Sequence, residues 1–166
     1  MITGNSAEIY EFKQTIVKEL IKSDTIVEGI HGLNDDGSQM TGDQLPYKYI
    51  LPYGFIPSML DETGCYITVE VGMPNISVVN DVYKDVIIIL TIISHRDMMR
   101  TDYGMTRVDY LAIEIDKLLN QRDHIGTTSL KLRSNIEGYV DPVHPCRTMK
   151  FGASSILRNK YGQGKI

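Results

Sequence analysis

The chain of 166 residues carries 17 Lys and Arg against 21 Asp and Glu, a net charge of -4, with 42% hydrophobic and 23% charged side chains. That balance suits one folded domain with enough apolar mass to build a core without staples. Its basic residues are scattered, so neither the stripe of a sequence-independent nucleic-acid binder nor a polybasic membrane anchor is present, and both classes are set aside.

The opening MITGNSAEIYEF has no basic segment followed by an apolar one, so no signal peptide is expected and the cytoplasm is the default site of synthesis. Asn5-Ser6-Ala7-Glu8 reads as a capped helix start. Ile9, Phe12, Ile16, Val17, Leu20 and Ile21 then recur at helical spacing through Lys22. Ser23-Asp24 can open a short second helix carrying Ile26, Val27 and Ile30, closed by Gly32; the competing reading is a loop with buried anchors. Asn34 to Gln44 (NDDGSQMTGDQ) is polar and aperiodic. Its acidic residues lack the alternate ligands and later glutamate of a calcium loop, and Gly32 occupies the first required position.

Leu45 to Pro57 concentrates aromatic residues, Tyr47, Tyr49, Tyr53 and Phe55, among prolines 46, 52 and 57. Those prolines exclude a helix and a central strand, so the segment is expected to be extended, either an arm that leaves the core or a cover for the sheet edge. Cys65, Ile67, Val69 and Val71 alternate with Tyr66, Thr68 and Glu70, the mark of a strand with one face on the core. Val86 to Ile93 is apolar at both parities and almost wholly β-branched, so it is expected to be a central strand covered on both faces. A charged loop follows, with Arg96, Asp97, Arg100, Asp102 and Arg107. Then come a Thr106 cap and an amphipathic helix through Val108, Leu111, Ala112, Ile115, Leu118 and Leu119. Ser129 to Val140 and Arg147 to Ser154 alternate again as two further strands joined through Asp141-Pro142-Val143-His144-Pro145.

The order helix, strand, strand, helix, strand, strand predicts an α+β domain: a mainly antiparallel four-stranded sheet with two helices packed on one face, plus an extended aromatic arm. One domain is expected over residues 1–166, with residues 34–62 as polar loop and arm and residues 157–166 as a flexible tail.

Chemistry is sparse. His95-Arg96-Asp97 resembles a kinase catalytic loop, but Asp102 stands where the Asn is required and no Gly-rich loop, V-A-I-K strand or D-F-G accompanies it. His31, His95, His124 and His144 lie in four separate segments, so no metal site is expected. No catalytic residue and no cofactor is expected either. The nearest approach to a catalytic group is Asp141 and His144 with Cys146, although neighbours on an extended chain are expected to point apart. Cys65 and Cys146 read as small buried apolar side chains.

The segments YKYILPYGFIP, CYITVEVGMPN and KDVIIILTIISHRDMMRTDYGMTRVDYLAIEIDKLL together resemble small neck proteins of tailed bacteriophages, in particular the tail-terminator, or tail-completion, class. The likeness spans Tyr47 to Phe151. It implies a non-enzymatic virion protein, assembled in the host cytoplasm as a homohexameric ring that caps the head-proximal end of the tail tube. Such a ring stops tube polymerisation and mediates joining to the head connector. The implied partners are the chain itself, the tail tube protein with or without a sheath, and the connector or stopper; DNA passes through the lumen without specific binding, and no membrane is involved. The expected subunit contacts are Tyr47, Tyr49, Tyr53, Phe55, Arg96, Arg100, Asp102 and Arg107. The alternatives are another neck component, such as a head-tail stopper or adaptor, and a small α+β enzyme or ligand-binding domain using His144 and Cys146.

Overall fold

A computed structural model of the chain describes residues 5–57, 63–74, 83–123 and 128–156. The expected flexible tail at 157–166 and the last five residues of the 34–62 segment lie outside the described residues. Helix α1 (Asn5–Lys22) is followed by the short α2 (Asp24–Ile30) and a two-residue strand β1 (Ile50–Leu51). Strands β2 (Cys65–Gly72) and β3 (Tyr83–Ser94) lead to α3 (Arg107–Leu119), and β4 (Lys131–Asp141) and β5 (His144–Ile156) complete the sheet.

The α+β class is as expected, with two corrections. Among the described residues the sheet has five strands in the order β1-β2-β3-β5-β4, and it is mixed, because β1 runs parallel to β2 while the other neighbours are antiparallel. Three α-helices, rather than two, are present among the described residues. The fifth strand escaped the sequence because Ile50-Leu51 sits between Tyr49 and Pro52; two residues carry no periodicity, and only pairing with Ile67 and Thr68 makes them a strand. Pro46 and Pro52 on either side suit an edge position, where a missing N–H costs no ladder bond. The third helix, α2, ends on His31 in the left-handed region, φ 54°, rather than on Gly32. Gly32 has a different reason to be glycine: a Cβ there would lie 2.9 Å from the Tyr49 ring.

Strand β3 is central, as expected, but it is covered evenly on one face only. Val86, Ile88, Leu90 and Ile92 are buried in a core with Ile67 and Val69 of β2 and with Met149 and Phe151 of β5. The apolar stripes of the helices close that core: Ile16 and Leu20 of α1, Ile26 and Ile30 of α2, and Leu111 and Ile115 of α3. Thr106 caps α3 as predicted, its hydroxyl accepting from the Asp109 N–H at 3.2 Å. On the opposite face Ile87, Ile89 and Thr91 are half-buried, and the far end, at Ile93, is closed. Both parities of this strand are apolar, yet the helices lie on just one of them.

A buried ion pair joins α1 to β3. Lys84, at the start of β3, is fully buried and meets the carboxylate of Glu8 in the first turn of α1 at 2.5 Å. Removing one partner of a buried ion pair takes away charge compensation that a low-dielectric site makes strong, whereas an exposed pair contributes little. We therefore expect Glu8→Ala to lower unfolding free energy by about 3–5 kcal/mol. Glu19→Ala, which breaks the exposed Lys22–Glu19 pair, should change it by less than about 1 kcal/mol. Urea denaturation of the two variants checks the contrast.

Candidate interaction surface

The aromatic segment does not stand away from the body. Ile50 and Leu51 are buried, and Lys13 of α1 donates from Nζ to the Pro52 carbonyl at 2.8 Å, tying the segment across the β2 edge. Tyr49 stacks on Tyr66 at a centroid distance of 5.5 Å, and Phe55 tilts against the same ring at 5.2 Å. Tyr66 lies on the β2 face away from the helices, so these rings roof one end of that face above Leu51, Ile93 and Cys146. Tyr47 and Tyr53 remain outside, 65% and 45% exposed. Tyr47, Tyr49, Tyr53 and Phe55 thus line one groove of about 430 Å³, together with Leu33 and Tyr66. Tyr66 was not among the expected contact residues; its outward parity in the β2 alternation was the available signal.

The charged loop forms a second, separate surface. After β3 the chain makes a 3-10 turn (Arg96–Met98), capped by His95, whose Nδ1 accepts from the Asp97 N–H at 3.2 Å. Arg96, Arg100 and Asp102 are exposed, and Arg100 and Asp102 help line a shallow concavity of about 650 Å³. Gly104, at φ 76°, supplies the left-handed residue that turns the loop. Arg107 behaves differently from its neighbours. Its Nε donates to the Met98 carbonyl at 2.7 Å and its Nη1 to the Gly29 carbonyl, so it clamps the loop and the end of α2 to the first turn of α3. No residue is shared by the linings of the two concavities.

His144 and Cys146, two residues apart on β5, share one face of the strand rather than pointing apart as expected, but the imidazole is engaged by Asp141 and the thiol is shifted up rather than down. His144 is fully buried, with Nδ1 2.7 Å from Asp141 Oδ2 and its ring packed edge-on against His95 at 5.1 Å. Asp141 also accepts from the Val143 and His144 N–H groups, which builds the β4–β5 turn, and Arg96 N–H donates to the Val143 carbonyl at 2.8 Å. Burial pushes the Cys146 thiol up, and burial drives Cys65 up to about 12 despite Arg107. A nucleophile requires the opposite shift. No group of three or more His, Cys, Asp or Glu among the described residues is arranged to hold a metal ion. No described helix is long and apolar enough to cross a membrane.

A family model, YomW, matches residues 14–152. This chain belongs to the YomW family. The family is of bacteriophage origin. No curated protein matches the chain. In this YomW-family protein the matched span runs from the middle of α1 to β5, so it contains both the aromatic groove and the charged loop.

Two measurements follow from these environments. Neither cysteine of the native protein should react with a thiol reagent at about pH 8, and both should react once the chain is unfolded; fast native labelling of Cys146 would point back to nucleophilic chemistry. The Asp141 carboxyl is affected most by burial, which raises it. The Val143 N–H and the His144 ring outweigh that and hold it below the usual carboxylate range. Its stabilising contribution is therefore complete above the unfolded value and disappears as pH falls through the folded one. Thermal melts should show Asp141→Asn less stable than wild type at about pH 7, with the gap closing toward about pH 2.

Proposed function

We propose that this protein is a structural component of the bacteriophage neck, forming a ring that caps the head-proximal end of the tail tube. On this reading the ring stops tube polymerisation and presents a surface to the head connector, and DNA passes through its lumen without specific binding. The observation that carries it is the aromatic groove on the sheet edge of a chain from a phage family, where Tyr47 and Tyr53 present large rigid side chains to solvent. Such side chains bury much area at small entropic cost, and a sheet edge is a ready docking element. Rings need a heterologous contact, one patch meeting a different patch on the next copy. The aromatic groove and the charged loop with Arg96, Arg100 and Asp102 are two such unlike patches. Arg107 would act from within, holding the loop in shape.

Removing residues 46–57 would also remove β1 and the buried Ile50 and Leu51, so point substitutions are the sharper test. Electron microscopy of the purified protein should show six-fold particles. Adding them to polymerising tail tube protein should shorten the tubes, with density at one end. Tyr47→Ser with Tyr53→Ser should leave the melting transition intact and lower ring yield at least about tenfold, as expected for aromatic anchors at the centre of a contact. Binding to the connector without any effect on tubes would favour a stopper or adaptor instead. A wild type that stays monomeric and ignores both partners would end the neck reading.

A further inference from the structure

Among the described residues, the roof of aromatic rings covers one end of the face opposite the helices. Toward the other end the rows across the sheet are Thr68–Thr91–Thr148, Glu70–Ile89–Lys150 and Gly72–Ile87–Gly152. Ile87 and Ile89 form a half-buried apolar seam along β3, with an exposed carboxylate on one side and an exposed ammonium on the other. The basic side is reinforced by Arg133, whose side chain lies over Gly152. Among the described residues, a Cβ at Gly72 would meet nothing within 4 Å beside Ile87. There a shallow groove of about 340 Å³ opens, lined by Glu70, Gly72, Met73, Pro74, Ile87 and Ile89.

We propose that this end of the sheet is a self-association surface, on which a second copy of the chain packs face to face about a two-fold axis running along β3. The charges of the Glu70–Ile89–Lys150 row select that occupant, while Asp85, exposed on the same parity of β3, lies two rows beyond Ile89, past Ile87. A two-fold axis parallel to the strands lays the β2 side of one sheet over the β5 side of the other. Each Glu70 then meets the other copy's Lys150, and Ile89 meets its own counterpart, so the row is complementary to itself. Neighbouring strands are about 4.8 Å apart and facing sheets about 10 Å apart, distances that a Glu and a Lys side chain span together. The half-buried isoleucines supply the apolar centre and the two symmetry-related ion pairs form its rim, the arrangement expected of a specific interface. The inference is independent of the ring reading, because it uses a different surface and a closed two-fold contact.

Sedimentation equilibrium of wild type, Glu70→Lys, Lys150→Glu and the double reversal tests it, with circular dichroism confirming that all four fold; both side chains are exposed, so the fold is not at stake. Wild type should show a concentration-dependent doubling of mass, of the monomer or of any larger particle it forms. Each single reversal alters two symmetry-related pairs and should raise the dissociation constant about tenfold or more, and the double reversal should restore it. A wild type that never doubles, singles that associate as well as wild type, or a double reversal that fails to recover would each overturn the proposal. Six-fold particles unaffected by all three variants, with no doubling, would overturn it while leaving the ring reading intact. Loss of rings on substituting Tyr47 and Tyr53, with doubling preserved, would count against the ring alone and support the two-fold contact.

Discussion

Along β3 every second side chain from Val86 to Ile92 is withdrawn from water beneath three helices, and the register of the sheet follows from that burial. Side chains on a strand alternate with period two, so a slip of one residue against β2 or β5 would move that whole row to the other face. Ile67 and Val69 on one side and Met149 and Phe151 on the other present matching rows, each across the ladder from a buried residue of β3. The helices supply the rest of the core through stripes that exist only at helical spacing. Everything that differs between the two faces of the sheet, including which surfaces remain for other molecules, descends from this one-sided cover.

Polar groups fix what apolar packing leaves loose. Hydrophobic burial is not directional, so it sets neither the end of a helix nor the course of a loop. Here Lys84 and Glu8 pin the start of α1 to the start of β3, and Arg107 gathers α2, the charged loop and α3 through backbone carbonyls. Asp141 and His144 do the same for the β4–β5 turn, which the Arg96 N–H joins to the loop after β3. The proposed role in a phage neck asks for a rigid subunit with several distinct faces. These anchors give the exposed aromatic groove and the charged loop a fixed frame.

Much of the candidate surface was legible before any fold was known. Four aromatic residues among three prolines marked Leu45–Pro57 as a surface element, and Tyr47, Tyr49, Tyr53 and Phe55 do line one groove. What could not be read was the floor of that groove, because Tyr66 and Leu33 come from distant parts of the chain. Nor could Arg107 be told from Arg96 and Arg100. All three are arginines in one charged stretch, and the carbonyls of Met98 and, from distant α2, Gly29 turn one of them inward.

Local periodicity by itself determined the long elements: α1 and α3 with the Thr106 cap, the alternation of β2, and the central place of β3. Each of those signals resides in neighbours along the chain, where side-chain direction repeats every 3.6 or every two residues. Tertiary structure alone decided the remainder. It made Ile50 and Leu51 a parallel edge strand, gave α2 a core to lie on, and left Ile87 and Ile89 half-covered despite a sequence equally apolar on both faces. Those outcomes depend on which distant segment arrives to pair or to pack, and a strand's own side chains do not encode which of its two faces the helices will reach.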